Sequence, residues 1–141
     1  MLKGIPKILS PELLKTLMEM GHSDEIVIAD GNFPAATCAK RLIRADGHNV
    51  PELLSAILEL FPLDTYSTPV YLMEKVKDDK VETPIWDEYK NIVETAQNNA
   101  QIEFVERFEF YERAKNAFAV VATGEKALYA NIILKKGVVV D

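Results

Sequence analysis

The sequence predicts an α/β fold, a single domain with a central sheet and helices packed on it. Apolar runs of strand length alternate in order with segments of helical periodicity, the pattern of helices laid on a sheet. A chain of 141 residues is one domain with room for a real core. No internal repeat, low-complexity tract or Pro/Gly-rich linker divides it.

Ser10-Pro11 opens the first helix, an N-cap followed by proline at the first helical position. Leu13, Leu14, Leu17 and Met18 carry it to about Met20. Gly21 stands where a helix stops on a left-handed residue, which puts His22 just past the helix C-terminus. Glu25–Ala29 is a strand whose apolar centre suits burial on both faces. It runs into Asp30, Gly31, Asn32 and Pro34, residue types that fix unusual backbone angles. Arg41–Gly47 reads as a short strand closing in an Asp-Gly turn. Asn49-Val50-Pro51 starts a second helix, with Leu53, Leu54, Ile57, Leu58 and Phe61 at helical spacing and Pro62 as its stop.

Pro69–Val76 is a strand and Lys77–Lys80 a charged surface turn. Thr83-Pro84 launches a third helix through Trp86, Tyr89, Ile92, Val93 and Ala96 to the polar run Gln97–Asn99. Ile102–Glu106 alternates like a half-exposed strand. Phe108–Lys115 is helical, with Glu109 and Arg113 spaced as an ion pair. Ala117–Ala122 is a buried strand, Gly124–Lys126 a turn and Asn131–Gly137 the final strand.

The net charge of −6 argues against a nucleic-acid partner, because such binding rests on clusters of Lys and Arg. It equally argues against an anionic membrane surface, and the apolar runs are far short of a bilayer span. Met1–Pro6 lacks the apolar region of a signal peptide, and one cysteine, Cys38, has no internal disulfide partner. Both point to a cytoplasmic protein. The glycines stand singly, so no phosphate-binding loop is present. His22 with Asp24 falls short of the three protein ligands of a catalytic zinc, and His48 lies in a surface turn. Cys38 as a nucleophile would need a base and an orienting group; a small buried apolar role is the plainer reading.

Proton transfer without metal or cofactor remains. His22 and Asp30, at the two ends of one short strand, form an acid/base pair if the flanking loops turn back over it. Plainer roles exist for each residue. His22 could be a cation on the helix dipole, and Asp30 a turn former binding the amides of Gly31 and Asn32. Arg107 reads as a strand-end surface charge, Tyr129 as a core aromatic with a solvated hydroxyl, and Asn131 as a cap on the last strand.

Five segments carry a resemblance: Gly21-His22-x-Asp24-Glu25, Asp30-x-Asn32-Phe33-Pro34, Ile43-Arg-Ala-Asp-Gly47, Arg107-Phe-x-Phe-Tyr-Glu-Arg113, and Thr123-Gly-Glu with Tyr129-x-Asn131-Ile-x-Leu-Lys-Lys-Gly137. In order, spacing and total length they resemble the RbsD/FucU family of L-fucose mutarotases and D-ribose pyranases, end to end. The Arg107–Arg113 segment is similar to the L-fucose mutarotase branch, whereas the pyranase branch tends to have histidine at the position of Arg107. Gly31 stands where alanine is more usual, which loosens the backbone beside Asp30.

The resemblance implies an RbsD-like fold and interconversion of the α and β anomers of L-fucose, with no metal or cofactor. It implies His22 as the proton donor, and Asp30, Arg107, Tyr129 and Asn131 as the lining of the sugar site. It further implies a homodecamer with sites near subunit interfaces. Ribose pyranase activity and a non-catalytic sugar-binding module are the alternatives that keep the same pocket.

Overall fold

In the computed structural model, which describes residues 1–141, the elements run α1 (Pro11–Glu19), β1 (Glu25–Ala29), α2 (Ala35–Cys38), β2 (Leu42–Ala45), α3 (Val50–Leu58), β3 (Val70–Met73), α4 (Ile85–Ala96), β4 (Ile102–Val105), α5 (Arg107–Asn116), β5 (Ala119–Thr123) and β6 (Ile132–Lys135). The strands make one sheet in the order β2-β5-β1-β6-β3-β4. β5 pairs in parallel with β1 and β2, and β3 does so with β4, while β6 runs antiparallel to both β1 and β3. Every strand except β6 therefore points the same way. Their carboxyl ends share one edge of the sheet with the amino end of β6, and that edge gathers residues far apart in sequence.

The sheet is covered on both faces because alternate side chains point to opposite sides. Ile26, Ile28, Leu72, Ile132 and Leu134 pack under Leu13 and Leu17 of α1, Leu53, Leu54 and Ile57 of α3, and Tyr89 and Val93 of α4. Val27, Ala29, Tyr71, Val120 and Ile133 meet Ala35 and Cys38 of α2 and Phe110 and Ala114 of α5. Each fully buried side chain of the Leu or Ile type contributes about 1.5–3 kcal/mol relative to remaining exposed. Burial raises the Cys38 thiol above its ordinary value, the behaviour of an inert packed cysteine rather than an activated one. No helix is long and apolar enough to cross a membrane.

Local rules account for the helix starts. Ser10 Oγ accepts the Leu13 amide at 3.1 Å and Asn49 Oδ1 accepts that of Glu52 at 3.0 Å, each with proline in the first turn. Three expectations need correction. Gly21 is not left-handed; the positive φ falls on Ser23, at 74°. The end of α1 is closed instead by Lys136, whose Nζ lies 2.8 Å from Leu17 O and 2.6 Å from Met20 O. A short helix, α2, follows Pro34 where four residues are too few to show a period. Finally, α5 begins at Arg107, because Glu106 caps it by accepting the amides of Phe108 and Glu109 at 2.9 and 3.1 Å. Glu109 and Arg113 do approach, to 3.8 Å.

Candidate functional site

A cavity of about 290 Å³ opens at the carboxyl-end edge of the sheet, lined by Asp30, Asn32 and Phe33 after β1, Met73, Val76 and Asp79 after β3, Arg107 and Tyr111 of α5, and Leu128, Tyr129 and Asn131 before β6. Crevices outside the carboxyl ends of strands are where open α/β sheets bind ligands. Asp30, Arg107, Tyr129 and Asn131 thus meet around one space.

Hydrogen bonds hold Asp30, Tyr129 and Asn131, while Arg107 is held by an aromatic ring. Asn131 Oδ1 accepts the Asp30 amide at 2.7 Å, tying the end of β1 to the start of β6. The Asp30 carboxylate accepts the amides of Asn32 at 3.0 Å and Ala130 at 3.3 Å. Burial raises its carboxyl above the ordinary value, with a further push from Glu125 and against the pull of those amides. Beside it, Gly31 is tied rather than loose: its amide donates to Glu125 O at 2.9 Å, and an added Cβ would stand 3.1 Å from that oxygen.

Tyr129 sits at a positive φ of 54°, a conformation that costs a bulky residue energy unless its surroundings hold it. Two aromatics one turn apart on α4 provide the hold. Trp86 Nε1 donates to Tyr129 O at 2.8 Å and the Tyr89 hydroxyl to Ala130 O at 2.6 Å. The Tyr129 hydroxyl donates to Asp79 Oδ2 at 2.6 Å and accepts the Val76 amide at 3.2 Å. Arg107 lies over the Phe108 ring, 4.6 Å from its centroid. It occupies the first position of α5, where a cation opposes the helix dipole; the helix gains nothing from it there.

His22 is not among these residues. The loops do not fold the two ends of β1 together: His22 precedes the strand, Asp30 follows it, and its five residues span about 17 Å. His22 Nε2 lies 3.0 Å from Asp64 Oδ1, and its ring faces Tyr66 at 5.3 Å. Nor does it serve the helix dipole, since Lys136 occupies the end of α1.

Asp64 is 2% exposed and also accepts from Ser67 Oγ at 2.8 Å and the Tyr66 amide at 3.2 Å. Burial alone would raise its carboxyl, but the hydrogen bonds with His22, Ser67 and Tyr66 outweigh it and bring it down to about 2. A carboxyl whose folded value lies below its free value of about 3.9 stabilises the fold above that pH and loses the contribution as pH falls through the folded value. The urea midpoint of the wild type therefore drops from about pH 4 toward pH 2 more steeply than that of Asp64→Asn. Parallel slopes would refute the pairing's role.

Asp64 and Asp79 escaped the sequence reading because Asp64-Thr-Tyr-Ser-Thr68 and Lys77-Asp-Asp-Lys80 both look like ordinary turns. The one available signal at Asp64 was a turn acid directly after the apolar Phe61-Pro62-Leu63. A larger groove of about 560 Å³ between α3 and α4 offers Glu59 as its single ionisable group.

The model of the RbsD / FucU transport protein family matches residues 3–139. A human protein named fucose mutarotase is 57% identical over 97% of this chain and 94% of its own length. The crystal structure of a Streptococcus pneumoniae fucose mutarotase in complex with L-fucose superposes with a TM-score of 0.95 at 56% identity, covering 99% of this chain and all of that one. Bacillus subtilis RbsD, solved with D-ribose, follows at a TM-score of 0.73 and 27% identity over 99% of this chain and 100% of that one. A match over nearly the full length, in sequence and in fold, means that the chain belongs to the RbsD / FucU family.

Proposed function

We infer that this protein is a fucose mutarotase, an isomerase that interconverts the α and β anomers of L-fucose by acid/base opening and reclosing of the ring. One observation carries this reading. A carboxylate, a guanidinium, a phenol and a carboxamide converge on one cavity of about 290 Å³, in a chain 56% identical to a mutarotase solved with L-fucose. Arg107, Tyr129 and Asn131 hold sugar hydroxyls, and Asp30 orients the sugar or serves as the partner base. Burial raises its carboxyl, the direction that favours a group which must take a proton as well as return it.

His22 supplies the other proton from a second copy of the chain. Mutarotation needs one group to remove the proton of the anomeric hydroxyl while another protonates the ring oxygen; the carbonyl face then rotates and the ring recloses with the roles exchanged. Imidazole suits such two-way traffic. The His22 edge and the cavity edge lie at opposite ends of one sheet, so a contact joining them is head-to-tail, the kind of interface that builds a ring when its rotation closes. Tyr66 (77% exposed) beside His22 and Phe108 (61%) and Leu128 (51%) near the cavity are apolar surface suited to that contact. The assembly is taken as a homodecamer working in the cytoplasm.

Anomeric-proton exchange measured by NMR tests the function. Micromolar protein accelerates α/β exchange of L-fucose without added metal or nucleotide, undiminished by chelator. Exchange at the spontaneous rate would instead leave a sugar-binding module, and a rate on D-ribose at least equal to that on L-fucose would favour pyranase activity. Arg107 supports the fucose branch over that second outcome.

A further inference from the structure

The loop between β3 and α4 has no part in the reaction described so far, yet it fills most of the hydrogen-bonding capacity of Tyr129. A phenolic oxygen offers one proton and two lone pairs. The proton goes to Asp79 Oδ2 at 2.6 Å, a length typical of a charge-assisted bond, and one lone pair accepts the Val76 amide at 3.2 Å. Asp79 is itself anchored, because its other oxygen accepts the Val81 amide at 3.0 Å. From behind, Trp86 holds the Tyr129 carbonyl at 2.8 Å. A single lone pair is left to face the cavity that both Asp79 and Tyr129 line.

We propose that Asp79 is a positioning residue for sugar selection: by drawing the Tyr129 proton away from the cavity, it makes the phenol an acceptor, so that the sugar must present a donating hydroxyl there. This deepens the mutarotase reading and rests on Tyr129 facing the sugar. Fluorine at the same carbon is similar in size but donates nothing. A site built for a hydrogen-bonding hydroxyl rejects the analogue that lacks it.

The test compares L-fucose with its monodeoxyfluoro analogues in NMR exchange kinetics, using wild type, Asp79→Ala, Asp79→Asn, Tyr129→Phe and the Asp79→Ala/Tyr129→Phe pair. The intrinsic slowing of each fluorosugar cancels when the same analogue is compared across variants. In the wild type, one fluorinated position loses about tenfold or more in kcat/KM. Asp79→Ala narrows that loss to about threefold or less at this position alone, as the freed phenol proton turns to the cavity. Asp79→Asn, whose amide oxygen still accepts the proton, keeps most of the discrimination. In the Tyr129→Phe background Asp79→Ala has no further effect, because Asp79 acts through the phenol.

If Tyr129→Phe lowers kcat/KM but Asp79→Ala leaves the fluorosugar ratios unchanged, or costs the same in both backgrounds as a loop support would, the Asp79 proposal is overturned and the mutarotase reading stands. If Tyr129→Phe equals wild type on every sugar, Tyr129 does not face the substrate, and both the sugar contact and the Asp79 proposal fall.

Discussion

Replacing His22 by alanine lowers the turnover of L-fucose anomer exchange by about 10²-fold or more, while the sugar dissociation constant stays within a small factor of wild type. A proton-transferring group acts mainly in the transition state, so its removal appears in kcat rather than in ground-state binding. Arg107→Ala behaves differently. A guanidinium on sugar hydroxyls holds ground state and transition state alike, so affinity and turnover weaken together. The contrast is read by measuring exchange rate, sugar affinity and melting temperature on both variants. Wild-type turnover in a well-folded His22→Ala protein would remove His22 from the mechanism and move proton transfer to Asp30 or Tyr129. A loss of turnover matched by a large loss of thermal stability would instead leave the His22–Asp64 contact, 3.0 Å long, as a structural tie.

Co-expressing His22→Ala and Arg107→Ala subunits restores activity well above that of either variant alone. With His22 at one edge of the sheet and Arg107 at the other, the proposed mechanism has each site draw on two copies. In a random mixture, half the cavities keep Arg107 and half their neighbours keep His22, so about a quarter of the sites are whole. Purified mixed oligomers recover activity on that order, and dilution to monomers abolishes it. Mixtures no more active than their components, or a fully active monomer by light scattering, would show that one chain completes its own site.

Most elements were legible because their signals are local. Ser10-Pro11 and Asn49-Val50-Pro51 mark helix starts through caps made within three residues, and Glu25–Ala29 shows the unbroken apolar run of a strand covered on both faces. Asp30, Arg107, Tyr129 and Asn131 were legible as a group through the family resemblance, not through periodicity. Their meeting at one edge is a matter of topology, since five strands end there and β6 begins there.

The sequence by itself determined the α/β class and the order of the elements apart from the four-residue α2. These follow from hydrophobic periods, caps and composition, each expressed within a few residues. Only the tertiary structure decided which polar groups meet. Asp64 reaches His22 across 42 residues, Asn131 reaches Asp30 across 101, and Lys136 closes α1 across 116 and 119. Burial makes such contacts necessary, because a polar group withdrawn from water must find a partner. Which partner is near depends on strand order: the length of β1 keeps His22 from Asp30 within one chain, while the pairing of β3 with β6 brings Asp79, a turn residue by every local sign, to the hydroxyl of Tyr129.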